Sequence, residues 1–118
     1  MKAGVKDNST VVVSGGASGI GAAVSRKVIA AGASIAILDL NEDRGRELAA
    51  ELGKRCIFVS CDVTLESSLE TALGQITKTL APVEGLVCCA GAAPVPLTIE
   101  KTSLAEWSRI LQTHLTGT

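Results

Sequence analysis

A chain of 118 residues, 47% hydrophobic and 19% charged, is sized for one domain and too apolar for a disordered tail or polar linker. Eleven basic against twelve acidic residues leave a net charge of −1, so no basic footprint for nucleic acid or an anionic membrane is present. The apolar runs are short, such as 11–13 and 86–90, and fall far short of the ~20 residues that span a bilayer.

The first residues, MKAG, lead into polar sequence without the apolar stretch of a secretory leader. Thr10–Ser14 (TVVVS) is β-branched and reads as a buried strand. Gly15-Gly16-Ala17-Ser18-Gly19 breaks it. Ile20, Val24 and Val28 recur every four residues, which predicts a helix over 20–31, stopped by Gly32. Ser34–Asp39 (SIAILD) is a second strand. Asn41 caps a predicted helix to about Leu52, with acidic Glu42 and Asp43 in its first turn, and Gly53 ends it. Residues 55–61 (RCIFVSC) form a third strand.

Leu65, Leu69, Ala72, Leu73, Ile76 and Leu80 make the stripe of a third helix, with Thr64 as its expected cap. Gly74 weakens that helix and Pro82 forbids its continuation. Residues 85–89 (GLVCC) are a fourth strand, ending at Ala90-Gly91. Segment 92–101 reads as a loop, which Pro94 and Pro96 would stiffen into a lip. Ser103 and Glu106 have capping-box spacing, and Leu104, Trp107, Leu111 and Leu115 stripe a fourth helix. Apolar strands alternating with helices predict an α/β fold: a doubly wound, Rossmann-like parallel sheet in the order 3-2-1-4, with helices on both faces. A ligand crevice belongs beside the carboxyl ends of strands 1 and 4.

The cysteines Cys56, Cys61, Cys88 and Cys89 form no Cys-x-x-Cys pair, and His114 is the sole histidine. No metal site is expected. Each cysteine sits in an apolar run and reads as a small buried hydrophobe. Cys88 and Cys89 should point to opposite faces of their strand. Reduced thiols suit a cytoplasmic chain.

The strongest chemical signal is Ser14-Gly15-Gly16-Ala17-Ser18-Gly19-Ile20-Gly21, set between a strand and a helix. Gly15 permits a tight turn, Gly19 removes a Cβ where backbone must approach a pyrophosphate, and Gly21 lets the helix pack close on the sheet. Unpaired amides at the helix start attract phosphate. Asp39 ends strand 2, 18 residues after Gly21, a spacing that suits hydrogen bonds from an adenosine ribose. Its charge would repel a 2′-phosphate and Leu40, not Arg, follows, so NAD(H) is expected over NADP(H). A turn or N-cap aspartate is the competing reading of Asp39.

With these landmarks the chain resembles the short-chain dehydrogenase/reductase family over nearly all its length. Gly15, Gly19, Ile20 and Gly21 match that family's T-G-x-x-x-G-I-G loop, with Ser14 in place of Thr and Ser18 inside it. The resemblance makes Asp39 and Leu40 the NAD-type position, sets Asp62 on the adenine amino group and places Val63 along the adenine. Cys88-Cys89-Ala90-Gly91 stands where the family writes Asn-Asn-Ala-Gly, so Cys89, Ala90 and Gly91 would lie along the nicotinamide-side ribose. His114 occupies the place of an Asn in the family's catalytic proton relay, although a half-exposed helix histidine is the simpler reading.

The implied activity is hydride transfer between a nicotinamide cofactor and an alcohol or ketone. The family's Tyr-x-x-x-Lys is not here, for the 118 residues contain no Tyr. The resemblance therefore makes residues 1–118 the amino-terminal, dinucleotide-binding part of a longer fold, inactive alone, incomplete at the strand 4 edge and destined for a homo-oligomer. A non-catalytic NAD(H) sensor or assembly module is the alternative. A flavodoxin-like or receiver domain shares the sheet but has no need of this glycine loop.

Overall fold

The computed structural model describes residues 5–93 and 96–118. The expected leader-free start (1–4) and Pro94 of the lip lie outside these. Four parallel strands stand in the order β3-β2-β1-β4, namely β1 Thr10–Ser14, β2 Ser34–Asp39, β3 Cys56–Ser60 and β4 Val83–Cys88. They alternate with α1 Gly19–Ala30, α2 Glu42–Leu52, α3 Glu66–Thr79 and α4 Leu104–Leu111. A 3-10 turn, Ile99–Lys101, precedes α4, and a π-helical turn, Gln112–Thr116, follows it.

Alternating side chains build two cores on the two faces of the sheet. Val11, Val13, Ile35 and Ile37 pack with Ala22 and Val28 of α1 and Leu48 of α2. Val12, Ala36, Leu38 and Val59 pack with Ala72 and Ile76 of α3. Asn41 caps α2 as expected, its side chain accepting from the Arg44 amide at 3.1 Å. Ser103 caps α4, accepting from the Glu106 amide at 3.1 Å.

Several local expectations give way. Strand β3 is one residue shorter at each end, and β4 starts two residues earlier at Val83. Its register on β1 slips at Glu84, because Thr10 faces Val83 while Val11 faces Gly85. Ile20 is not on the core stripe of α1 but 78% exposed. The buried face is Gly21, Ala22, Ser25 and Val28, of which Ala22 and Val28 pack on the sheet. Thr64 does not cap α3; Leu65 stands there without a side-chain cap bond. Cys56 and Cys61 are buried, and burial pushes the Cys56 thiol up to about 11. Cys88 is exposed and Cys89 half-buried, so the apolar run of β4 is not buried on both faces.

Among the described residues no strand pairs with the outer edge of β4. Leu86 beside it is 63% exposed, and the α4 stripe of Leu104, Trp107, Leu111 and Leu115 is exposed throughout. No described helix is long and apolar enough to cross a membrane.

Candidate functional site

All four strands point the same way, so their carboxyl ends open on one side of the sheet. A cleft of about 560 Å³ lies there, within the ~300–1,000 Å³ usual for small-molecule sites. The twelve residues expected to hold a cofactor (Gly15, Ser18, Gly19, Ile20, Gly21, Asp39, Leu40, Asp62, Val63, Cys89, Ala90 and Gly91) all line it.

The β1–α1 loop is fastened on both sides. The Gly15 and Gly16 amides donate to Leu38 O at 2.7 and 3.3 Å, tying the loop to the end of β2. Gly15 has φ +66°, and a Cβ there would sit 2.6 Å from Cys89 O and Ala90 N. The loop therefore lies flush on the end of β4, and only glycine permits it. Ser14 adds a bridge, its buried hydroxyl accepting from the Ala90 amide at 3.4 Å. A Cβ on Gly21 would overlap Gly15 O, so this glycine packs the first turn of α1 on the loop rather than on the sheet. A Cβ on Gly19 would meet nothing within 4 Å, leaving open room beside the helix start.

Ser18 precedes α1 without a side-chain cap bond, and the first turn carries no acidic residue. The first amides of a helix have no helical carbonyl to bond. Together with the positive end of the helix dipole, they favour an anion at this wall of the cleft.

Asp39 does more than the sequence suggests. Its Oδ2 accepts from the Ala17 amide at 3.1 Å and its Oδ1 from the Asn41 amide at 3.0 Å. One carboxylate thus braces the glycine loop and the start of α2 while lining the cleft. Asp62 Oδ1 accepts from the Thr64 hydroxyl at 2.6 Å and the Thr64 amide at 2.9 Å. These bonds, the hydroxyl's first, hold the Asp62 carboxyl below its ordinary range. They also explain why Thr64 is not free to cap α3.

Thr64→Val is expected to raise the Asp62 pKa toward the ordinary ~3.9 of a free Asp, as read by NMR titration of its carboxyl carbon. Because the folded value is the lower one, the stabilisation is present above the unfolded pKa and is lost as pH falls through the folded value. The variant should therefore close part of the stability gap between neutral and acid pH.

On the β4 side, Ala90, Gly91 and Ala92 form the lip of the cleft. His114 does not line it. Its Nε2 lies 3.0 Å from Ala92 N and 2.9 Å from Ala92 O, behind the lip. Sequence reasoning missed Leu38, Cys61, Thr64 and Ala92, and above all Arg109, Gln112 and Thr113, which bring α4 and its π turn to the cleft. Their spacing of three and four is the signal that could have found them, since it puts all three on one helix side. The Arg109 guanidinium donates to Ala93 O at 3.2 Å and pairs with Glu106 at 2.7 Å, which raises its pKa. Among the described residues no group of three or more His, Cys, Asp or Glu side chains could hold a metal ion.

Comparison with known proteins agrees with this architecture. Human 3-hydroxyacyl-CoA dehydrogenase type-2 is 36% identical over 112 residues, 91% of this chain and 43% of that protein. L-fucose dehydrogenase of Bos taurus is 35% identical, covering 92% of this chain and 40% of its own length. The 3-beta-hydroxysteroid dehydrogenase of Comamonas testosteroni is 38% identical, covering 86% and 39%. One solved structure, "Crystal structure of gox2181", superimposes with a TM-score of 0.88 at 30% identity, covering 95% of this chain and 45% of that one. The chain spans less than half the length of the relatives it matches. A family model described as short chain dehydrogenase matches residues 9–118, and with it the chain belongs to the short-chain dehydrogenase/reductase family of oxidoreductases.

Proposed function

We propose that the cleft binds NAD(H), and that residues 1–118 are the amino-terminal dinucleotide-binding portion of an oxidoreductase acting on an alcohol or ketone. The carrying observation is that an acid-free helix start at Gly19 and the Asp39 carboxylate line the same cleft. The residues fit such a group. The first-turn amides of α1 would hold the diphosphate and Asp39 the adenosine ribose. Asp62 and Val63 would flank the adenine, and Cys89 to Gly91 would follow the nicotinamide-side ribose. Negative charge at Asp39 favours NAD(H) over NADP(H). When bound, the nicotinamide supplies hydride chemistry.

The chain's own part is to bind and orient. No Tyr stands among the 118 residues to hold a proton at the substrate oxygen, so the chain alone should not turn over secondary alcohols. The same fact favours the second reading, a non-catalytic NAD(H) sensor or assembly module. Homo-oligomerisation is the assembly this reading implies, given the exposed Leu86 and α4 stripe.

Trp107 is the only tryptophan and lies on the helix that reaches the cleft. Titration with NADH should therefore quench Trp107 emission saturably by energy transfer to the dihydronicotinamide. A chain that shows no transfer and no protection from unfolding by NADH is not a dinucleotide binder.

A further inference from the structure

We propose that His114 is a positioning residue whose imidazole pins the Ala92 backbone and so holds the Gly91–Ala92 lip of the cleft in place. The geometry of the pin is independent of any ligand; only its binding readout rests on the NAD(H) reading above.

Three observations carry it. First, a single ring nitrogen faces both polar groups of Ala92, the amide at 3.0 Å and the carbonyl at 2.9 Å. A ring nitrogen is either a bare acceptor or a protonated donor, so it serves one of them at a time. With the proton on Nδ1 it accepts from the amide; with the proton on Nε2 it donates to the carbonyl. In either tautomer Nε2 is committed to the Ala92 backbone.

Second, the ring fills the place of a side chain on the lip. A Cβ on Gly91 would fall 2.6 Å from His114 Cε1 and 3.3 Å from its Nε2. Gly91 and His114 are a fitted pair, each requiring the other's shape.

Third, the neighbouring carbonyl is held from the same helix, for Arg109 donates to Ala93 O at 3.2 Å. In an α-helix, residues five apart lie about 140° apart around the axis. The wider turn Gln112–Thr116, closed by Gly117 N donating to Gln112 O at 2.7 Å, brings His114 back toward the side of Arg109. Ala92 at the lip and Ala93 after it are thereby fastened to α4 and the π turn that continues it.

The test uses amide hydrogen exchange at Ala92, NADH affinity and a double-mutant cycle. His114→Ala should speed Ala92 exchange about fivefold to tenfold and weaken NADH binding by a similar factor, the effect of losing one net hydrogen bond. His114→Asn should restore both, because a carboxamide offers a donor and an acceptor together. Gly91→Ala should speed Ala92 exchange in the wild-type background by displacing the ring, and should add nothing in the His114→Ala background. If His114→Ala does not fold, Gly91→Ala alone gives the exchange readout. Unchanged Ala92 exchange in these variants, or a Gly91→Ala effect undiminished without the ring, overturns the proposal. A chain that binds no NADH yet shows the expected exchange pattern sinks the dinucleotide reading and leaves the pin standing.

Discussion

Gly15→Ala is expected to lower the unfolding free energy by about 2–6 kcal/mol and to abolish measurable NADH binding. Two costs combine at this position. The backbone sits at φ +66°, where an L side chain is strained, at about 1–3 kcal/mol. The new Cβ would also stand 2.6 Å from Cys89 O and Ala90 N. Both are backbone atoms just past the end of β4, where the Cys89 amide donates to Ser14 O at 2.9 Å, so neither can rotate away; forced overpacking costs about 1–3 kcal/mol more.

The loop cannot shift the other way, because the Gly15 amide is bonded to Leu38 O at 2.7 Å. Against a typical domain stability of ~5–15 kcal/mol the loss is large. Gly19→Ala is the control. It has φ +52° but nothing within 4 Å of its Cβ, so it should pay strain alone, about 1–2 kcal/mol. Urea unfolding of the two variants reads the difference. Equal destabilisation would mean that the contact between loop and β4 is not what makes glycine necessary.

The strands and their order were legible because buried parallel strands are continuous apolar runs. TVVVS and SIAILD match β1 and β2 residue for residue. The glycine loop was legible because its turn, its open wall and its helix start are encoded within eight consecutive residues. Much of what the sequence does not show depends on a partner distant in the chain. Ile20 fits a period of four, yet Gly21, Ala22 and Ser25 take the buried face of α1. A hydrophobic pattern weighs large side chains, whereas a helix pressed on a sheet selects small ones.

The brace from Asp39 to Ala17 spans 22 residues and leaves no local trace. Thr64 has the position of a cap, but Asp62 two residues earlier competes for it and wins with two bonds. Arg109, Gln112 and Thr113 look like a solvated helix face until β4 places a cleft beside them. The π turn at Gln112, which decides where His114 points, has no composition signature at all.

Asp39→Asn is expected to raise the Kd for NADH about tenfold to a hundredfold and to erase most of the preference over NADPH. A ribose hydroxyl bonding a charged acceptor is worth about 1.5–3 kcal/mol, which sets that range. The substitution is chosen over Asp39→Ala because the carboxylate also accepts from Ala17 and Asn41. Alanine would strip both braces and confuse binding with loop collapse. Asparagine keeps one acceptor oxygen, so one of the two amides retains its bond and stability should fall by only about 1 kcal/mol.

The charge is what the variant removes cleanly. A 2′-phosphate next to Asp39 meets like-charge repulsion; beside a neutral amide it does not. Binding to the two coenzymes should therefore converge, NADH weakening while NADPH improves. The ratio of the two affinities is the decisive quantity, since general damage to the loop would weaken both together and leave it untouched. A ratio unmoved by Asp39→Asn would make the carboxylate a brace alone, and the coenzyme preference would then have to come from elsewhere along the cleft.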